Sequence, residues 1–404
     1  MMQKSRTILL LITFSALAAS IGGYAATDVG GITVARGDHW SVMTSAALPE
    51  GTNAELLAVS CVTIRNCVAV GATNSSAYPD AALGGLELPA GDVPLIEQFD
   101  GRQWRIVPNP ATRGALFGVS CTSSTFCVAV GYGTGQDADS IVEQYNGTSW
   151  QLVSSVSGGP AAANTRRLWS VSCTSSVFCI AVGSILDDHS INRLEIEVPS
   201  IDTLVGKSWS VAAPYPLLQL DLLSVSCITR TCLAVGSGPA LPNGPRALSL
   251  VGGNWQTTAT PPDVLAAVAC PVAQSCLAVP FQGEARASGR IYHFDGRGWH
   301  ARGTNVPPHA VALNGIACTD RVNCTLVGSS LPIGPSSTTR HAIVGTLGAS
   351  SAVIDYLSIR TSGSGGTLAA VSCVQAHACI AVGTAGAIGL LNPRHSRTLA
   401  MIET

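Results

Sequence analysis

Fourteen cysteines stand in seven close pairs along this 404-residue chain. Such pairs can grip a metal ion, cycle as a redox dithiol, or close a disulfide. They are Cys61 and Cys67, Cys121 and Cys127, Cys173 and Cys179, Cys227 and Cys232, Cys270 and Cys276, Cys318 and Cys324, and Cys373 and Cys379. The spacing is C-x5-C, shortened to C-x4-C at Cys227 and Cys232. A structural zinc site needs two pairs converging on one ion, whereas here the leading cysteines of successive pairs lie 43 to 60 residues apart. A reactive dithiol uses C-x-x-C, which is absent. Seven short-range structural disulfides are therefore expected, as in a chain that meets an oxidising compartment.

The remaining candidates for chemistry are sparse, because only 11% of the residues are charged. Asp137 with Asp139, or Asp187 with Asp188 and His189, carry oxygen and imidazole donors close enough in sequence to hold calcium or another divalent ion. Small acidic residues also cap turns, and this is the reading adopted, so no cofactor is expected. Other polar groups in the long connections are Asp80, Glu87, Asp92, Arg166 and Arg167. No G-x-S-x-G and no H-E-x-x-H occurs. Carboxylates paired for glycoside hydrolysis must sit ~5–10 Å apart, a distance no sequence displays. No catalytic residue is assigned.

The elements that must position these residues follow from repetition. Each cysteine pair sits in one phrase, such as LLAVSCVTIRNCVAVG at Cys61 and LWSVSCTSSVFCIAVG at Cys173. A second phrase, glycine then Trp three residues on, interleaves at Gly37, Gly101, Gly147, Gly206, Gly252 and Gly296, with a degenerate copy near Gly348 and Ser351 in the Trp place. A short apolar run such as IEQFD precedes most of these glycines. Each unit thus holds four strand-like runs, and four short strands per unit of about 50 residues indicate a propeller. The fold expected is all-β: a seven-bladed β-propeller with four-stranded blades and one disulfide inside a hairpin of each blade. Both faces of the inner strands must be apolar, which is why LAVS and CVAV barely alternate. Gly opens the tight turn before the outer strand, and Trp is expected to pack on the next blade.

Ring closure has its own signature. The run around Trp40 precedes the first cysteine pair and is expected to serve as the outer strand of blade seven, after a third strand near 387–391. Residues 398–402 are the alternative outer strand. The stapled bends gather on one face with short loops. The connections on the opposite face vary in length, 72–94 being the longest, as a binding surface on a rigid scaffold would.

The N-terminus carries Lys4 and Arg6, an apolar run from Ile8 to Ala19 and a small-residue stretch ending at Ala25, the pattern of a signal peptide over 1–25; retention as an anchor is the alternative. A short linker, 26–34, and the propeller, 35–404, are expected to follow. Asn74, Asn146 and Asn323 begin N-x-S/T sequons. The net charge of −2 favours no nucleic acid, and no second apolar run reaches membrane-spanning length.

The repeats LxxVSC, x5, CxAVG and GxxW resemble those of secreted bacterial seven-bladed β-propellers. The Gly-x-x-Trp spacing also resembles the back half of the Asp-box turn of sialidase-like propellers, but Phe99 and Tyr145 occupy the position where that motif has Asp. Neither kelch nor WD40 signatures appear. The resemblance implies fold alone and carries over no functional residue. A secreted, periplasmic or envelope-located monomer is expected. It would be a non-catalytic module that binds a glycan or protein on the variable-loop face, stays out of the membrane after signal cleavage, and has no nucleic-acid partner. A hydrolytic propeller and a structural envelope protein are the alternatives.

Overall fold

The computed structural model describes residues 27–29, 32–34, 40–49, 52–73, 92–133, 140–153, 166–187, 196–211, 219–238, 247–258, 263–280, 290–303, 311–330, 341–347, 352–355, 359–361, 365–385 and 397–403. Seven four-stranded antiparallel sheets form the blades. Blade one runs outward as Ala54–Thr63, Asn66–Thr73, Val93–Phe99 and Trp104–Ile106. Blades two to six repeat that order within 115–152, 166–211, 221–257, 265–303 and 311–355. First strands touch one another around the whole circle, the last meeting the first, and so line a central channel.

Blade seven takes strands from both ends of the chain: Gly366–Gln375, Ala378–Ala385, Arg397–Glu403 and then Trp40–Met43. Val42 pairs with Met401, and Ile402 with Ile380. The third strand is therefore Arg397–Glu403 rather than the expected 387–391, which lies outside the described residues, as does the signal segment. With the outer place filled by Trp40–Met43, the last apolar run of the chain must occupy the place inside it. Part of the stretch expected to be linker is also paired, since Thr27–Val29 and Ile32–Val34 form a small sheet with Ile359–Thr361.

Every cysteine pair closes the bend between the first two strands of its own blade, with Cα atoms 4.0 or 4.1 Å apart. The second cysteine starts a transverse row. Cys67 faces Phe99, which faces Trp104; Cys127 faces Tyr145, which faces Trp150. Residues directly opposite project from one face, so Trp goes where its cysteine goes. That face looks at the preceding blade, not the next: Trp104 packs with Ile380 and Val382, and Trp150 with Val68 and Ile96. In blade six the row ends at Ala352, opposite Leu347; Ser351 lies outside the described residues. The turn before Trp is closed by Asp100, Asn146 or Asp295, whose side chains accept backbone N–H bonds two and three residues on, while Gly101 takes φ 87°.

The repeated serine of VSC ties blade to blade. Cys121 N–H donates to Ser60 Oγ at 2.9 Å, Cys173 to Ser120 at 2.9 Å and Cys227 to Ser172 at 3.0 Å. Cys270 donates to Ser226, and Cys61 closes the circle on Ser372. These amides belong to the innermost strand, which has no ladder partner on its channel side, so the hydroxyls meet a need the sheet cannot. Blades five and six have Ala269 and Ala317 at this place.

Candidate functional site

All seven first strands contain one extra residue. Leu56 pairs with Gly71 but Ala58 with Val70, and the same slip recurs in every blade. A β-bulge of this kind re-aims the inserted side chain. The inserted residues are Leu57, Phe117, Trp169, Leu223, Ala266, Asn314 and Ala369, all partly exposed at the loop-face end of the channel-lining strands. Bulky groups therefore occupy blades one to four, and small or polar groups blades five to seven. The mouth is one-sided.

On the bulky side an aromatic cluster spans two blades. Phe117 stacks on Tyr132 with ring centroids 5.5 Å apart. Trp169 meets both edge-on, at 4.8 and 5.9 Å. The Trp169 indole N–H donates to Asp221 Oδ1 of blade four at 2.8 Å, and the Arg167 guanidinium lies over the Tyr132 ring, 5.5 Å from its centroid. Burial, the dominant influence, pushes the Tyr132 hydroxyl well above the ordinary tyrosine range; Arg167 pulls down and Asp92 pushes up. Tyr132 therefore stays a neutral hydroxyl.

Of the sequence candidates, Asp92, Arg166 and Arg167 come to this mouth. Asp92 is buried and its carbonyl accepts from Gly114 N–H, while Arg166 forms a buried ion pair with Asp202. Asp187 ends the second strand of blade three opposite Ile196. Asp80, Glu87, Asp137, Asp139, Asp188 and His189 lie outside the described residues, so the calcium expectation rests on positions the structure does not describe. Among the described residues no three His, Cys, Asp or Glu side chains come together as a metal ion requires. Phe117, Tyr132, Trp169 and Asp221 were not singled out from sequence. For Phe117 and Trp169 the signal was present: the residue after the first Leu of each LxxV phrase is the variable column of an otherwise uniform repeat.

A second constellation clasps the connections between blades. Glu97, Glu143, Asp202 and Tyr292 occupy one equivalent third-strand place, opposite Ala69, Ala129, Ala181 and Ala278. Three of them meet the segment arriving from the preceding blade. Ala111 N–H donates to Glu143 at 3.0 Å, Tyr292 donates to Asp263, and Glu97 faces Ala46 and Thr398. Asp202 instead pairs with the Arg166 guanidinium in the first strand of its own blade. Glu97 and Glu143 are fully buried, and burial pushes both up to about 7, with the hydrogen bonds opposing.

Between 4.5 and about 7 the folded chain therefore holds protons that the unfolded chain has released, and stability must fall as pH rises through that window. Ionising each group costs on the order of 3 kcal/mol. The melting temperature is expected to be highest near pH 5 and lower at pH 8, and Glu97→Gln with Glu143→Gln to flatten the difference. A wild-type melting profile level across that range would refute the assignment.

On the stapled side of blade five, Ser275 Oγ lies 3.2 Å from His293 Nε2, and His300 contacts Asp295 at 3.0 Å. The two rings are 6.5 Å apart, so Asp295 orients His300 and not the imidazole beside the serine. This is not a nucleophile–base–acid relay.

No protein-family model matches this chain, and no curated protein sequence matches it. Solved structures match in shape. YCF48 bound to D1 peptide superposes with a TM-score of 0.53 at 11% identity, covering 91% of this chain and 96% of that one. A protein of unknown function from Dyadobacter fermentans DSM 18053 does so with a TM-score of 0.48 at 10% identity, covering 93% and 100%. At 11% identity the likeness to YCF48 is one of fold.

Proposed function

We propose that the chain is an exported, non-catalytic binding propeller that takes a glycan or protein ligand at the loop-face mouth of its channel. The observation that carries this reading is the cluster of Phe117, Tyr132 and Trp169, two of them turned out by bulges that have no role in strand pairing. Phe117 and Trp169 are half-buried over the buried Tyr132, and such aromatic side chains on a rigid scaffold, with a few polar groups at their rim, are the usual composition of a recognition site. Strands, not loops, hold these rings, so the site exists before the ligand arrives. YCF48 bound to D1 peptide is an example of the same fold holding a ligand. Seven disulfides fit a compartment outside the cytosol. The module acts as a monomer and needs no cofactor.

Trp169→Ala tests the site. It is expected to weaken selective ligands found on glycan and peptide arrays by about tenfold or more, as truncation of a buried aromatic anchor does, while the melting temperature stays within a few degrees. Undiminished binding by this variant would remove the mouth from consideration.

A further inference from the structure

We infer that the ligand of this mouth is an acidic polypeptide segment, whose carboxylate is forked by Arg167 while an adjacent apolar side chain rests on Trp169. This rests on the binding reading above and adds the chemistry of the occupant.

Among the described residues of the mouth, Arg167 has no carboxylate partner. Its Nε is buried without a hydrogen-bond acceptor, and the contact its guanidinium makes is with the face of Tyr132. A ring face stabilises a guanidinium but takes none of its in-plane N–H donors. The terminal N–H groups are not among the buried donors, so a carboxylate arriving at the mouth can fork them end-on.

The acids nearby are already matched. Asp202 is neutralised by Arg166, Asp221 accepts the Trp169 indole N–H, and neither Asp92 nor Glu55 lacks a partner. The bulge residues flanking the cluster, Leu57 and Leu223, offer apolar surface that suits a peptide side chain.

The test is calorimetric titration of the full chain with octapeptide pools that hold Glu beside Leu at their centre. Parallel pools carry Gln or Lys in place of Glu, and an oligosaccharide of uronic acid supplies carboxylate without peptide. The Glu pool is expected to bind about tenfold tighter than the Gln pool, the gain of a charge-assisted fork over a neutral contact. Arg167→Gln should erase that difference, and Arg167→Lys should restore only part of it, because an ammonium cannot fork.

Equal binding of the Glu and Gln pools, both weakened by Trp169→Ala, would overturn the inference and leave the binding mouth standing. Binding of the uronic oligosaccharide but of no peptide would do the same. Failure of every probe would sink both readings.

Discussion

Reduced at neutral pH and 25 °C, the chain is expected to lose its propeller, with collapse of the near-ultraviolet dichroism and of cooperative melting. The reason is the number of staples rather than the strength of any one. Closing a loop this short stabilises by about 2 kcal/mol on the chain-entropy model. Seven such closures reach on the order of 15 kcal/mol, as large as the whole stability of an ordinary folded domain. Each also holds one hairpin in register, since Cys61 faces Cys67 and Cys318 faces Cys324 across the ladder. A single-blade deletion such as Cys318→Ala with Cys324→Ala should cost only about 2 kcal/mol and leave the ring closed. Reduced protein that melts within a few degrees of the oxidised form would show that the inter-blade packing suffices alone.

Gly183→Ala is expected to destabilise by about 3 kcal/mol or more, measured as a shifted urea midpoint. A Cβ at this place would stand 1.8 Å from the Arg167 carbonyl, which belongs to the strand beside it. The bulge at Trp169 fixes that carbonyl, so it cannot retreat. The same approach recurs at Gly71, Gly131, Gly236, Gly328 and Gly383, at 1.8 to 2.1 Å. The final glycine of CxAVG is therefore a steric requirement of the bulge.

Blade five supplies the control. There Pro280 stands in the glycine's place, and the ladder begins only at Leu265, one or two pairs short of the other blades. Pro280→Ala should change the stability read from the midpoint by less than about 1 kcal/mol, because that place already accepts a Cβ. Because Arg167 supplies the carbonyl, Gly183→Ala should also impair any ligand that depends on the Arg167 side chain. A Gly183→Ala protein as stable as wild type would mean that the close approach does not exist.

Repetition made the architecture legible. Seven cysteine phrases separated by about fifty residues dictate seven equivalent hairpins, and fourteen cysteines in close pairs dictate local bridges, because both are properties of contiguous chain. The apolar faces of CVAV followed from the same logic: a strand with a blade on either side has no polar face. The Trp rows were legible in position but not in direction. Which blade a face meets depends on how the sheets pack around the axis, and Trp104 faces blade seven for that reason.

The candidate site stayed hidden for a related cause. Phe117, Tyr132, Trp169 and Asp221 come from blades two, three and four, and no local pattern records that they converge. A bulge is a slip between two strands, so where its extra side chain points is set by their pairing and not by either strand alone. The sequence by itself determined the count of blades, their strand content and their cross-links, because those depend on neighbours a few residues apart. Tertiary structure alone decided which side chains turn toward the channel and which carboxylates clasp an arriving segment. Both are set by contacts between strands that meet only once the ring has closed.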